Sequence, residues 1–255
     1  MIGEALRMLR LSLLISLVIG PLACGGSAKP KSDEPTASQA GPVHGPDAHH
    51  PQTHGHHAHG DKPLGHRFEN AEEWAKRFDD PSRDAWQKPA DVVALMEITP
   101  GMTVADVGAG TGYFLPCLSK AVGDTGTVLG LDIEADMVRY MEMRADNERL
   151  GNVKARTVAV ADPELSLGSV DRVLIVDTWH HIPDRIAYAK KLAKGLRPGG
   201  AVFIVDFTME TERGPHKDHR LSRESIVAEL AEAGLATDLL DEELPDQFIV
   251  RGRLP

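Results

Sequence analysis

"VADVGAGTGYF", Val104 to Phe114, runs from an apolar segment straight into three glycines at alternate positions, 108, 110 and 112. A turn, "PGM" (Pro100–Met102), precedes it, so the segment reads as a short buried strand that ends in a loop of bare backbone. Downstream, strand-like and helix-like segments alternate: "GTVLGLDI", "DMVRYMEMRADNERL", "VKARTVAV", "VDRVLIVDTW", "RIAYAKKLAKGL" and "GAVFIVDF". That alternation predicts an α/β fold, a Rossmann-like doubly wound sheet that is mostly parallel. A helix over about Arg223–Ala233 follows. "LATDLLDEEL" and "QFIVRGRL", closely spaced around "PD", predict a C-terminal antiparallel hairpin.

In open parallel sheets ligands bind beyond the carboxyl ends of the strands, at the switch point. The glycine loop lies just past the first strand, where missing side chains let a ligand approach the backbone. The dinucleotide fingerprint is G-x-G-x-x-G, with its helix N-terminus taking the pyrophosphate. Here the spacing is G-x-G-x-G, and Tyr113 stands where the last glycine of that pattern would fall. Asp106 also precedes the loop, where a diphosphate would have to approach. A carboxylate there suits a cationic ligand end.

With these motifs the chain resembles the class I S-adenosylmethionine-dependent methyltransferases, over roughly Val92–Arg253. The resemblance implies S-adenosyl-L-methionine as cofactor. By position it places Asp106, Gly108, Ala109, Gly110 and Gly112 around the methionine portion. Asp132, in "GLDIEADM", would take the ribose hydroxyls, and Ile133 would lie against the adenine. Asp162, in "VAVADPEL", would meet the adenine amine with Pro163 beside it. The Pro-Gly-Gly turn of "LRPGGAVFIVDF" is structural in that family.

Methyl transfer from a sulfonium needs the acceptor to be oriented and, often, its proton to be removed. The acceptor should face the end of the fourth strand, "VDTWHHIPD", which puts Asp177, Trp179, His180 and His181 at the rim, with Asp177 also a candidate cofactor-binding residue. Either histidine is a candidate general base, His181 first, and one of them could instead only hold the loop by hydrogen bonds. Trp179 is a candidate acceptor platform or a packing residue.

"FENAEEWAKRFDDPSRDAWQKPADVVALMEI" precedes the core. It predicts a helix from about Ala71 to Phe78, a turn at Asp80–Pro81 and a helix from about Pro89 to Met96. We read residues 67–100 as a helical extension or lid, ahead of a cofactor-binding domain at 101–255. Arg83, Trp86, Gln87 and Lys88 are dense in recognition chemistry, and Trp86, Gln87 and Tyr113 join the substrate or lid candidates. Trp86 could equally anchor a packed helix. The basic loop "RGPHKDHR", Arg213–Arg220, could contact an anionic acceptor or simply be solvated. The whole pattern resembles a group of bacterial predicted methyltransferases.

The N-terminus differs in kind. Arg7 and Arg10 precede an uncharged apolar run, Leu11–Ala23, then Cys24 and two glycines. The run is too short for a spanning helix, which needs about 20 apolar residues, and fits a signal h-region of about 7–15. Residues 1–26 resemble a bacterial lipoprotein signal with Cys24 as the lipidated residue, although Pro21 stands where that motif usually has leucine. The expected location is the periplasmic side of a membrane, lipid-anchored or, with ordinary cleavage, soluble. Residues 27–66 have almost no large apolar residues and predict a disordered tether. His49, His50, His54, His56, His57 and His59 crowd one part of it, a spacer or a weak metal-collecting tract without fixed geometry.

At 255 residues and 42% hydrophobic, the chain can bury a sizeable core. Its net charge is −10 and no Lys/Arg-dense run follows the signal region, which argues against nucleic acid. The expected function is methyl transfer to a small-molecule or lipid-like acceptor. The alternative is an exported adenosyl-ligand-binding or metal-handling lipoprotein that keeps the scaffold without catalysis.

Overall fold

The computed structural model describes residues 70–240 and 244–255. The expected signal segment with Cys24 and the histidine tract fall outside the described residues. Seven strands form one sheet in the order β3-β2-β1-β4-β5-β7-β6. These are β1 (Thr103–Val107), β2 (Thr127–Asp132), β3 (Val153–Thr157), β4 (Val170–Val176), β5 (Leu196–Phe207), β6 (Ala236–Leu239) and β7 (Gln247–Arg253). The first five strands pair in parallel, and β7 runs antiparallel between β5 and β6. The expected doubly wound α/β sheet with a C-terminal antiparallel pair is therefore present. β5 begins earlier than its apolar pattern suggests, at Leu196, and its register against β4 shifts between Val170 and Arg172.

Alternate side chains of the central strands serve two cores. Val173, Ile175, Val202 and Ile204 face one side, where α6 (Arg185–Gly195) and α7 (Arg223–Glu232) contribute Tyr188, Leu192, Ile226 and Leu230. Leu174, Val176, Phe203 and Val205 face the other. There α3 (Pro89–Leu95), α4 (Leu115–Val122) and α5 (Ala135–Glu148) contribute Val92, Leu118 and Met141. Helices on both faces are why β4 and β5 read as near-continuous hydrophobic runs rather than alternating ones.

The strand order reverses between the parallel neighbours β1 and β4, whose outward connections leave on opposite sides. That is the switch point where a crevice forms. Ahead of it lies α1 (Ala71–Phe78), as the sequence predicts, with its first amide donating to Asp136 Oδ2 at 2.6 Å. The predicted turn at Asp80–Pro81 opens a 3₁₀ turn, Pro81–Arg83, and then a short helix that the proline had hidden, α2 (Asp84–Gln87).

Candidate active site

Strand β1 leaves the sheet through Gly108. The Gly108 and Ala109 amides both donate to Leu131 O, at 2.8 and 3.1 Å, and the Gly110 amide donates to Asp132 Oδ2 at 2.8 Å. The other oxygen of Asp132 accepts the Glu134 amide at 3.0 Å. The end of β2 thus fixes the backbone of the glycine loop. Gly108 sits at φ +70°, and a Cβ there would lie 2.4 Å from Thr178 Cγ2. Gly112, at φ +78°, would meet Leu115 Cδ1 at 2.5 Å. One glycine lets the loop pass the end of β4; the other seats α4 against it.

Acids line this crevice. Asp106 is 3% exposed, and burial pushes its carboxyl up to about 7, with Arg83 opposing the rise and Asp132 adding to it. Burial likewise raises Asp177 to about 7, opposed first by Arg83 and augmented by Asp206. Asp132 is also raised by burial, against the amides of Glu134 and Gly110 that favour its charge. Asp177 follows β4 in the left-handed region, φ 52°, a conformation stored where surrounding contacts enforce it. Buried carboxylates are costly unless a cation meets them. An acid-lined cradle of backbone with almost no side chains fits an adenosyl ligand with an ammonium and a sulfonium, and would repel a diphosphate. Ile133, beside Asp132 and 45% exposed, presents an apolar surface suited to a planar ring.

Asp162 is engaged otherwise than the adenine role alone requires. Its Oδ2 lies 3.0 Å from Lys191 Nζ and its Oδ1 accepts the Glu164 amide at 2.8 Å, contacts that lower its pKa. Pro163 beside it is buried.

The histidine pair follows β4 in a 3₁₀ turn, Trp179–His181. The two rings lie 4.2 Å apart between centroids. His180 Nδ1 is 3.1 Å from both oxygens of Asp206, and both side chains are nearly inaccessible. Asp206 Oδ1 also accepts the Phe207 amide at 2.9 Å, so the end of β5 holds the carboxyl against the His180 ring. Trp179 is no acceptor platform. It is wholly buried, its Nε1 donates to Glu229 Oε2 at 2.8 Å, and it packs edge-on against Tyr188, tying the turn to α6 and α7.

The extension closes on the same edge. Gln87 is fully buried rather than open to a substrate; its Nε2 donates to Gln247 Oε1, and Gln247 Nε2 donates to Asp177 Oδ1. Trp86 packs 5.9 Å from the Phe207 ring, with the Arg213 guanidinium 5.0 Å above it. Tyr113 donates to Asp84 Oδ1 and lies under Arg83. In the basic loop, Arg220 donates to the carbonyls of Pro215, Thr208 and Arg213, and Arg213 pairs with Asp246. Those cations hold the loop together.

Sequence reasoning passed over Asp206 and Gln247. Asp206 interrupts the otherwise apolar "AVFIVDF", and a lone acid in a buried run is a detectable signal. Gln247 opens β7, and nothing in "PDQFIV" foretells that antiparallel pairing with Phe207 carries it to this edge. A separate cavity of about 440 Å³ lies at the opposite end of the sheet, lined by Glu97, Arg172, Gly199 and Arg251 among others. It holds none of the candidate site residues read from the sequence.

A family model described as a methyltransferase domain matches residues 98–240, more than half of the chain. The chain belongs to this methyltransferase family. A SAM-dependent methyltransferase from Aquifex aeolicus is similar in structure, at TM-score 0.69 and 28% identity, over 73% of this chain and 99% of that one. Nocamycin O-methyltransferase of Saccharothrix syringae is 38% identical over 42% of this chain and 39% of its own length. Demethylmenaquinone methyltransferase of Halalkalibacterium halodurans is 30% identical over 50% of this chain and 51% of its own. The chain thus spans about half or less of the curated relatives it matches. S-adenosylmethionine is the cofactor of the family, and the cradle's acids and open backbone fit it.

Proposed function

We propose that this methyltransferase domain methylates the oxygen of an acidic hydroxyl, a phenol or an enol, on a small and largely apolar acceptor. The buried His180–Asp206 pair at the end of β4 carries this reading. The cofactor supplies an activated methyl group on a cationic sulfur. Asp106 and Asp177 balance positive charge in the crevice, and Asp132 holds the loop that receives the nucleoside. Asp206 fixes Nδ1 of His180 as the protonated nitrogen, leaving Nε2 to accept the proton of the acceptor hydroxyl. With the methyl supplied by the cofactor, which would leave as the neutral thioether, the acceptor oxygen would gain the methyl and His180 would hold the proton. Transfer to oxygen is named in the nocamycin O-methyltransferase relative, which supports an oxygen acceptor, and the demethylmenaquinone methyltransferase relative supports an apolar small molecule.

We further propose that the domain works from the periplasmic side on a lipid-modified Cys24. The apolar run that ends at that cysteine supports this, and mass spectrometry of the native N-terminus tests it.

The decisive experiment follows labelled methyl from S-adenosylmethionine into a panel of phenols, enols and amines. Transfer to hydroxyl acceptors that is lost in His180→Gln, with cofactor affinity retained, supports the proposal. Transfer confined to amines, or an undiminished rate in His180→Gln, refutes it.

A further inference from the structure

Against the acids of the crevice stands one cation of the chain itself. Arg83 closes the 3₁₀ turn ahead of α2, with a side chain only 14% exposed. Its Nη1 donates to Phe78 O at 2.8 Å, and its Nε and Nη2 donate to Gln87 Oε1 at 3.2 and 3.1 Å. Its Nη2 lies 3.9 Å from Asp177 Oδ2, and its guanidinium carbon sits 4.0 Å from the centre of the Tyr113 ring. Both Asp106 and Asp177 feel its charge as their largest stabilising influence.

The guanidinium therefore occupies the cationic place in an acid-lined crevice. We propose that Arg83 is an internal counter-ion that the cationic end of S-adenosylmethionine must displace from Asp177, so that residues 78–88 gate cofactor entry. This rests on the proposed reading in which Asp106 and Asp177 balance the cofactor's positive charge.

The oxygens of Asp177 argue for exchange rather than co-occupancy: Oδ1 accepts from Gln247 Nε2 and Oδ2 faces Arg83. Guanidinium and two ionised carboxylates leave the free site with one net negative charge, which the cofactor's single net positive charge offsets, so the crowding is local and not one of total charge. The cofactor brings an ammonium and a sulfonium against a single carboxylate, and like charges at close range in a buried site repel strongly. The hydrogen bonds that hold Arg83, to Phe78 O and Gln87 Oε1, lie within the same extension, and its contact with the Tyr113 ring is one the withdrawal breaks. The guanidinium therefore withdraws together with that segment rather than as a lone side chain. Gln87–Gln247, Tyr113–Asp84 and Trp86–Phe207 are the contacts that resist the withdrawal.

The test uses the full chain, with S-adenosylmethionine and its neutral-sulfur product as probes, by calorimetry and stopped-flow tryptophan fluorescence. Arg83→Met should bind S-adenosylmethionine about tenfold more tightly, through a faster association rate, the scale expected from removing one like charge nearby. The gain should be smaller for S-adenosylhomocysteine, which lacks the sulfonium charge. Weaker or unchanged binding in Arg83→Met overturns the proposal, and weaker binding would make Arg83 a grip on the cofactor's carboxylate instead. Gln87→Ala, which frees the guanidinium without removing its charge, should also speed association; slower association there counts against the gate, even where Arg83→Met fails to fold. If neither the parent nor Arg83→Met binds either probe, the assignment of the crevice falls, and the gate with it. Binding by the variant alone would be the gate in its extreme form.

Discussion

The Gly110 amide donates to Asp132 Oδ2 across 2.8 Å, joining two residues 22 positions apart. One carboxylate therefore has two tasks, closing the glycine loop against β2 and offering acceptors to a ligand's hydroxyls. Asp132→Ala removes both the Gly110 and the Glu134 bonds. Bonds to a charged acceptor contribute about 1.5–3 kcal/mol each, so cofactor affinity should fall about 100-fold or more. The sheet does not depend on Asp132, so the variant should still unfold cooperatively. Calorimetric titration alongside thermal denaturation measures both, and unchanged affinity would refute the assignment of this crevice.

Asp106 makes stability depend on pH in a defined direction. Its folded value is about 7, against about 3.9 in an unfolded chain. Between those values the folded state keeps a proton that the unfolded state has lost, so stability falls as pH rises through the window and is level above it. Asp106→Asn abolishes that dependence and should stabilise the unliganded protein at pH 8, by at most about 4 kcal/mol. Melting temperatures measured from pH 4 to 8 decide it: a variant less stable than its parent at pH 8 would mean that Arg83 already compensates the charge in full.

Ligand binding should respond to the same two acids with the opposite sign. Asp106 and Asp177 must ionise to attract a cation, and both are held at about 7. Affinity for S-adenosylmethionine should therefore rise between pH 6 and 8. A pH-independent affinity over that range would show that these carboxyls stay out of the binding equilibrium.

The frame of this molecule was legible because its signals are local. Three alternate glycines after "VADV", an aspartate closing "GLD" and apolar runs of strand length each speak for themselves. What stayed hidden depends on contacts distant in sequence. Trp179 sits among residues of rim character, yet Glu229 on α7 draws its indole inward. Gln87 looks like a recognition residue until β7 brings Gln247 to it across 160 positions. The lysine at 191 that meets Asp162 is one of several cations on an ordinary amphipathic helix. Long-range polar pairs of this kind leave no periodic trace in a single sequence.

The orienting role of Asp206 separates from a merely structural one by kinetics. Asp206→Asn can offer His180 an amide nitrogen in place of a carboxylate oxygen, and so destabilises the tautomer that leaves Nε2 unprotonated. A positioned base contributes about 10²–10⁴-fold. The variant should lose about 100-fold in kcat with little change in cofactor affinity, and the pH–rate profile should shift. A change in KM alone, with kcat and profile intact, would leave Asp206 a packing residue.

Gly108 offers a test of the loop that needs no acceptor. Alanine there meets Thr178 at 2.4 Å and is also forced into φ +70°. The left-handed backbone costs about 1–2 kcal/mol, and the overlap adds about 1–3 kcal/mol. The two penalties are separable, because the three nearest atoms all belong to the Thr178 side chain, at 2.4, 2.5 and 2.9 Å. Thr178→Gly removes every one of them. Gly108→Ala should lower stability by the sum of the two costs, and the double variant Gly108→Ala/Thr178→Gly should recover the overlap while keeping the backbone cost. A double-mutant cycle by chemical denaturation therefore predicts a favourable coupling between two positions 70 residues apart. Additive effects would mean that the ends of β1 and β4 do not approach each other as closely as the cradle requires.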